Sequence, residues 1–321
     1  MRNSLPAEGA MQALGHEPVM LRELLEAAAP REGEAWVDGT FGFGGHAIAL
    51  LERGCRVLAI DLDPEAQRRA TSLQDAWGAR LQFVRGNFSD MAAAAAGIGW
   101  GIVDGVLLDL GISSGQLDDP ERGFSFRWDA PLDMRMDPAG STTAGDLLQE
   151  LGEADLARLF AVTVHPGESR RLARSVVHAR ERGRLRTTGD FVAAIGAARP
   201  SRRRIHPATR AFLALRIAVN DELGSLERAL PAASRLLGSG GRLAVISFHS
   251  EEDRRVKRFF REHTRQGPAM ASGAEENSPA ETEFGFEKQA RFLPSKEEIL
   301  RNPRARSARL RMGWKEIGRD L

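Results

Sequence analysis

The chain has no tyrosine, a single cysteine, and only four lysines among its 45 basic residues. Cys55 has no partner, which excludes a disulfide framework and suits a reducing cytoplasm. No cysteine and histidine spacing matches a zinc site, so no metal is expected. Because arginine replaces lysine almost throughout, an arginine count carries less information than usual. Nor is there an apolar stretch of the roughly 18 residues a membrane span requires. The longest weakly polar run, 91–103, is rich in alanine and glycine. The first 15 residues lack a basic region followed by an apolar core, so no export signal is expected. Lys+Arg 45 against Asp+Glu 44 leaves a net charge of +1, and any nucleic-acid surface must therefore be local. With 321 residues the chain has room for one large α/β domain and something smaller.

The most informative stretch is Trp36-Val-Asp-Gly-Thr-Phe-Gly-Phe-Gly-Gly-His46. A short apolar run ends at Asp38, glycines follow, and an amphipathic segment opens at His46. This pattern predicts a strand, a tight turn and a helix whose free N–H groups face a ligand. The next apolar run, 56–61, ends in Asp61, about 20 positions beyond the start of the turn, where a carboxylate can accept hydrogen bonds from both hydroxyls of a ribose. The run from Gly42 to Ala47 also fits the looser dinucleotide fingerprint, so the turn alone leaves a nicotinamide or flavin cofactor open.

Further along, a helix is expected over 64–77, where Pro64 suits a first turn, and strands over 81–85 and 104–109. Apolar strands alternating with helices make a doubly wound parallel sheet whose ligand lies at the carboxyl ends of the strands. Asp38, Asp61, Asn87 with Phe88, and Asp109 all occupy those ends. Phe88 offers an aromatic face to an adenine. Residues 111–137 form a long polar segment with little periodicity, expected to be a functional loop. From about 141 to 216 the pattern is helical, with Thr187 and Thr188 as caps. The sheet then resumes with a helix over 223–237, a glycine turn at 238–241, a strand over 242–248 and a helix over 251–263. Residues 266–286 read as a mobile loop, and two last strands are expected near 290–293 and 307–314. Residues 170–216 hold thirteen arginines against Glu181 and Asp190, a local excess suited to a phosphate backbone.

The motifs Asp38-Gly-Thr-Phe-Gly-Phe-Gly-Gly-His46, Asp109-Leu-Gly-Ile-Ser-Ser114, Glu121-Arg-Gly-Phe-Ser-Phe126, Pro131-Leu-Asp-Met-Arg-Met-Asp137, Ile205-His-Pro-Ala-Thr-Arg210, Ser247-Phe-His-Ser250 and Asn302-Pro-Arg-Ala-Arg-Ser307, with His16-Glu-Pro-Val-Met20 and Ala218-Val-Asn-Asp-Glu-Leu223, closely resemble the bacterial 16S ribosomal RNA (cytosine-N4)-methyltransferase family. The resemblance runs from His16 to about Trp314. It implies an α/β, doubly wound, mainly parallel class I methyltransferase (Rossmann-like) sheet carrying an inserted all-helical domain. The methyltransferase domain would comprise 16–118 and 217–321. Residues 119–216 would form the linking loop and an arginine-rich RNA-recognition domain, and 1–15 a flexible tail. It also implies S-adenosylmethionine as cofactor, with contacts at Gly44, Gly45, His46, Asp61, Phe88, Asp109 and Gln116. The implied substrate is a cytidine in the decoding centre of small-subunit ribosomal RNA, within an assembled subunit in the cytoplasm, and a homodimer is compatible with it. Two departures stand out. Gly115 replaces a usual proline, and His165-Pro-Gly-Glu-Ser169 replaces a tyrosine-containing turn.

Cytosine N4 is a poor nucleophile because its lone pair is delocalised into the ring. An enzyme must hold it in line with the methyl group and accept its N–H bonds. Asp109, Ser113 and Ser114 are the expected acceptors. Phe248 is placed to stack on an extruded base and His249 to hydrogen-bond it. Arg204, His206 and Arg210 are expected on RNA, whereas Asp133 and Asp137 are expected to organise the long loop. Three rivals are a noncatalytic RNA-binding assembly factor, a nicotinamide oxidoreductase, which rests only on the glycine turn and Asp61, and a small-molecule methyltransferase, which the local basic excess disfavours.

Overall fold

A computed structural model describes residues 18–196, 206, 208–264 and 285–317. The expected tail, Arg204 and most of the expected loop 266–286 lie outside the described residues. Among the described residues two compact units emerge, one drawn from 18–111 and from 225 onwards, the other from 112–224.

The first unit opens with helix α1 (Leu21–Ala28) and continues through β1 (Ala35–Asp38), α2 (Gly45–Glu52), β2 (Arg56–Asp61), α3 (Pro64–Trp77), β3 (Leu81–Arg85), α4 (Met91–Gly97) and β4 (Val103–Asp109). After the second unit come β5 (Leu237–Ser247), α5 (Ser250–His263), β6 (Phe286–Phe292), α6 (Lys296–Arg301) and β7 (Arg309–Lys315). The seven strands lie in the order β3-β2-β1-β4-β5-β7-β6. The first five run parallel, and β7 is antiparallel to both β5 and β6. The strands read as unbroken apolar runs because both faces are covered. Leu58, Ile60, Val106, Leu108 and Val245 belong to the core on one face, while Val57, Ala59, Leu107, Ala244 and Ile246 belong to the other. Asp63 caps α3 by accepting the Glu65 N–H, and Pro64 opens that helix where its missing N–H costs nothing.

The boundaries differ from expectation in two places. The glycines at 238–241 do not end an element. They sit inside β5, where Val103 pairs with Leu237 and Gly105 with Arg242, so an irregularity in the ladder absorbs them. Strand β6 begins at Phe286 rather than near 290, because the Phe286 side chain is buried edge-on against Phe260, with ring centroids 5.2 Å apart.

The second unit is built from helices. They are α7 (Ser114–Asp118), α8 (Ala144–Glu150), α9 (Glu153–Ala161), α10 (Pro166–Glu181), α11 (Thr188–Ala194) and α12 (Ala208–Val219), and α13 (Glu222–Leu236) leads back towards the sheet. Phe160, Phe191 and Phe212 anchor its core. Thr143 with Asp146, and Thr187 with Asp190, form capping boxes at the starts of α8 and α11. The segment 111–137 is more ordered than its composition suggests. The Arg122 guanidinium donates to the carbonyls of Arg135 and Met136, Asp133 pairs with Arg135, and Asn220 bonds both Met136 N–H and Met134 C=O. Asp137 accepts the Ala139 N–H.

Candidate functional site

Asp38, Asp61 and Asp109 stand at the carboxyl ends of three adjacent strands, β1, β2 and β4. Their carboxylates are tied into the loops around them. Asp61 Oδ2 accepts the Gly42 N–H at 2.7 Å and Oδ1 accepts the Asp63 N–H at 2.9 Å, so Asp61 holds the glycine turn itself. Asp38 Oδ1 accepts the Thr40 N–H at 3.1 Å, and Thr40 Oγ1 in turn accepts the Asp109 N–H at 2.6 Å. Asp109 Oδ1 is buried and has no hydrogen-bond partner among the described residues. A buried acceptor left open in this way is costly unless a ligand completes it.

Burial raises the proton affinity of all three. Asp38 is pushed up to about 7, chiefly by burial and only partly offset by the Thr40 N–H. Asp61 is raised by burial against the bonds from Asp63 and Gly42. Asp109 is raised well above the usual carboxylate range by burial first, then by the like charges of Asp38 and Glu252. His46, at the start of α2, moves the other way: burial lowers it to about 4, so its ring is neutral. Its Nε2 lies 3.0 Å from the Val19 carbonyl. A carbonyl only accepts, so Nε2 carries the proton and Nδ1 presents a lone pair, 3.7 Å from Asp109 Oδ2. Gly44 sits at φ 80°, and a Cβ there would stand 2.7 Å from the Phe41 ring.

Beyond β5, His249 is the N-cap of α5. Its Nδ1 accepts the Glu252 N–H at 3.4 Å, which assigns the ring proton to Nε2. Glu252 Oε2 accepts the N–H groups of both Phe248 and His249, at 2.8 and 3.2 Å. His249 Nε2 is buried and comes within 3.0 Å of Glu252 Oε1, yet out of line for a hydrogen bond. Phe248 is half-buried and packs against one sheet core. Phe88 follows β3 in a short 3-10 turn capped by Asn87 and packs against the other core.

The remaining candidates lie in the helical unit. Ser113 Oγ accepts the Gln116 N–H and Gln116 Oε1 accepts the Ser113 N–H, a capping box that makes both residues builders of α7, with Ser114 as its first residue. His206 is exposed, tilted over Phe126 at 4.8 Å between ring centroids, and Arg210 is exposed beside it in the chain. Sequence reasoning gave no chemical role to Asp38, Thr40 or Glu252. Asp38 was visible only as a member of a motif and as a strand end, and Glu252 not at all, since their proximity to Asp109 arises from the order of strands β1, β4 and β5.

The donor set suits S-adenosylmethionine. Asp61 holds the glycine turn at the end of β2, and carboxylates rather than arginines stand at the ends of β1, β2 and β4, an acidic setting that suits a sulfonium cation. On a doubly wound sheet of this strand order, these features define a class I, Rossmann-like methyltransferase. The MraW methylase family matches residues 13–316, and the chain belongs to that family. The chain is 51% identical over 301 residues, 94% of each chain, to the ribosomal RNA small subunit methyltransferase H of Methylacidiphilum infernorum. It is 48% identical over 310 residues to the protein of the same name from Methylobacterium nodulans, covering 93% of this chain and 89% of that one. A solved putative rRNA-methylase from Clostridium thermocellum shows a more distant likeness, with TM-score 0.43, 13% identity, and coverage of 94% and 98%.

Proposed function

We propose that the protein is an S-adenosylmethionine-dependent methyltransferase acting on the exocyclic N4 of one cytidine in the decoding centre of small-subunit ribosomal RNA. Membership of a methylase family whose relatives are small-subunit ribosomal RNA methyltransferases supports this reading and leaves a nicotinamide cofactor without support. The observation that carries the chemistry is Asp109 Oδ1, a buried acceptor without a partner at the end of β4. When bound, S-adenosylmethionine would supply an electrophilic methyl group for N4, with its neutral sulfide as the leaving group.

Gly44, Gly45 and His46 shape the cofactor turn, Asp61 binds the ribose and Phe88 lies against the adenine. Asp109 accepts an N4 hydrogen, helping the nitrogen leave conjugation, and then takes the proton that N4 loses. A high proton affinity suits that task, and a cationic ligand beside Asp109 restores its charged form. Phe248 stacks on the extruded base, and His249 donates from Nε2 to its acceptor edge. Ser113 and Gln116 hold the α7 turn. The helical unit, with Arg204, His206 and Arg210, grips the RNA of an assembled small subunit in the cytoplasm.

The deciding experiment is transfer of labelled methyl from S-adenosylmethionine to small subunits from cells lacking the enzyme, followed by nucleoside analysis. N4-methylcytidine at a single position is expected. No transfer to subunits or extracted RNA, despite measured cofactor binding, would favour a noncatalytic assembly factor instead.

A further inference from the structure

Two stretches that carry the family likeness, 16–20 and 302–307, have no part in the chemistry above. The described end of the first is stitched to the glycine turn on one side and to the helix just before the second on the other. Pro18 lies against Gly45: a Cβ at position 45 would stand 2.2 Å from Pro18 Cγ. The Val19 carbonyl accepts the His46 Nε2–H at 3.0 Å. Met20 is buried and takes a left-handed conformation, φ 54°, unusual for a residue other than glycine. That conformation directs its N–H to Glu298 Oε1, a buried bond of 2.7 Å. Glu298 belongs to α6. Its own N–H is held by Ser295 Oγ, and its carbonyl accepts the Asn302 N–H at 2.6 Å. Asn302 then caps the 3-10 turn Pro303–Ser307.

We propose that Glu298 is a positioning residue for methyl transfer, fixing the Pro18–Met20 segment so that Val19 keeps the His46 proton on Nε2 and turns an unprotonated Nδ1 towards Asp109. The proposal rests on the reading of Asp109 as the acceptor of the N4 proton. The three groups facing Asp109 come from different elements: Asp38 from β1, Glu252 from α5 and His46 from α2. Both carboxylates oppose its charge. His46 in the opposite tautomer would donate from Nδ1, favour the carboxylate and weaken it as a proton acceptor. Glu298 closes that option from the far side of the Val19–Met20 turn. The left-handed conformation of Met20 is the backbone strain that the Glu298 bond offsets.

The test uses the full chain with Glu298→Ala, Glu298→Gln and Glu298→Asp. Nitrogen-15 imidazole spectra, with the His46 signals assigned from a His46→Gln sample, report the tautomer directly. Methyl transfer to small subunits across about pH 5 to 9 reports kcat and KM. Glu298→Ala should populate the Nδ1–H form, move the acid limb of kcat down by about one pH unit, and leave the cofactor KM within about twofold. Glu298→Gln should restore both, because its amide oxygen still accepts the Met20 N–H, whereas Glu298→Asp, one methylene short, should fall between. If Glu298→Ala does not fold, the Asp variant carries the comparison. An unchanged His46 tautomer and acid limb in a destabilised variant would overturn the proposal and reduce Glu298 to a structural tie. A wild-type chain that binds cofactor but transfers no methyl would overturn the methyl-transfer reading, and this proposal with it, a result distinct from an active wild type whose variants leave the limb in place.

Discussion

Asp38, Asp61 and Asp109, on three neighbouring strands, are buried or partly buried and hold protons more tightly than free carboxylates do. In the helical unit, Arg170, Arg182, Arg184 and Arg186 stand exposed on the surface. The same kind of group does different work in the two places. Burial turns a charge into a proton acceptor or a partner for one cation. Exposure leaves it as one contributor to a field that attracts a polyanion and fades with salt. Not every arginine of the basic stretch belongs to that field. Arg180 donates to the carbonyls of Leu148, Gln149 and Leu151, and Arg216 pairs with Glu222.

The contrast is sharpest at Asp109. Asp109→Asn should lower kcat by about 10²–10⁴-fold, the range of a lost proton acceptor, while the folded chain still binds small subunits. Single-turnover methyl transfer would measure it, and a loss under tenfold would remove Asp109 from the chemistry. Asp61→Ala should weaken cofactor binding by about ten- to a hundredfold, read by calorimetry, with RNA affinity unchanged. His249→Ala should cost about tenfold in kcat through one lost bond to the base, with cofactor affinity retained. Unchanged turnover would leave His249 as only the cap of α5. Arg182, Arg184 and Arg186 replaced together by alanine should weaken RNA binding several-fold at low salt and reduce the slope of log affinity against log salt by about 2–3. A slope that stays put would separate these arginines from the RNA surface.

The smallest effect concerns stability. Because Asp38 holds its proton more tightly folded than unfolded, its contribution is complete below about pH 4 and is lost as pH rises to about 7. Asp38→Asn should therefore raise the Tm by a few degrees at pH 8 and by almost nothing at pH 4, as thermal melts in two buffers would show. An equal shift at both would mean that Asp38 is not charged when buried.

The sheet was legible because its strands are short apolar runs ending in carboxylates, and a carboxylate at a strand end marks where a ligand meets parallel β-structure. The glycine turn and Asp61 could be placed for the same reason. What remained hidden depends on distance in the chain. Glu298 meets Met20 across 278 positions, and Asp104 Oδ2 caps the Ala35 N–H across 69, contacts that no local pattern announces. Ser113 and Gln116 show the converse. Their spacing is that of a capping box, a local signal that also fitted a polar loop beside a reacting centre. At Phe286 tertiary burial extended a strand into polar sequence, overriding composition.

Strand β4 pairs with β5, and between the end of one and the start of the other the chain makes the whole helical unit. During synthesis, β4 is therefore complete long before its partner exists. At typical elongation rates the gap is of order ten seconds, much longer than a hairpin or small bundle takes to form. Over that interval Val106, Leu107 and Leu108 form an unpaired apolar edge, the kind of surface that chaperones hold and that aggregates when left bare. The interruption that brings a second unit into the sheet also sets the order in which the protein must be born.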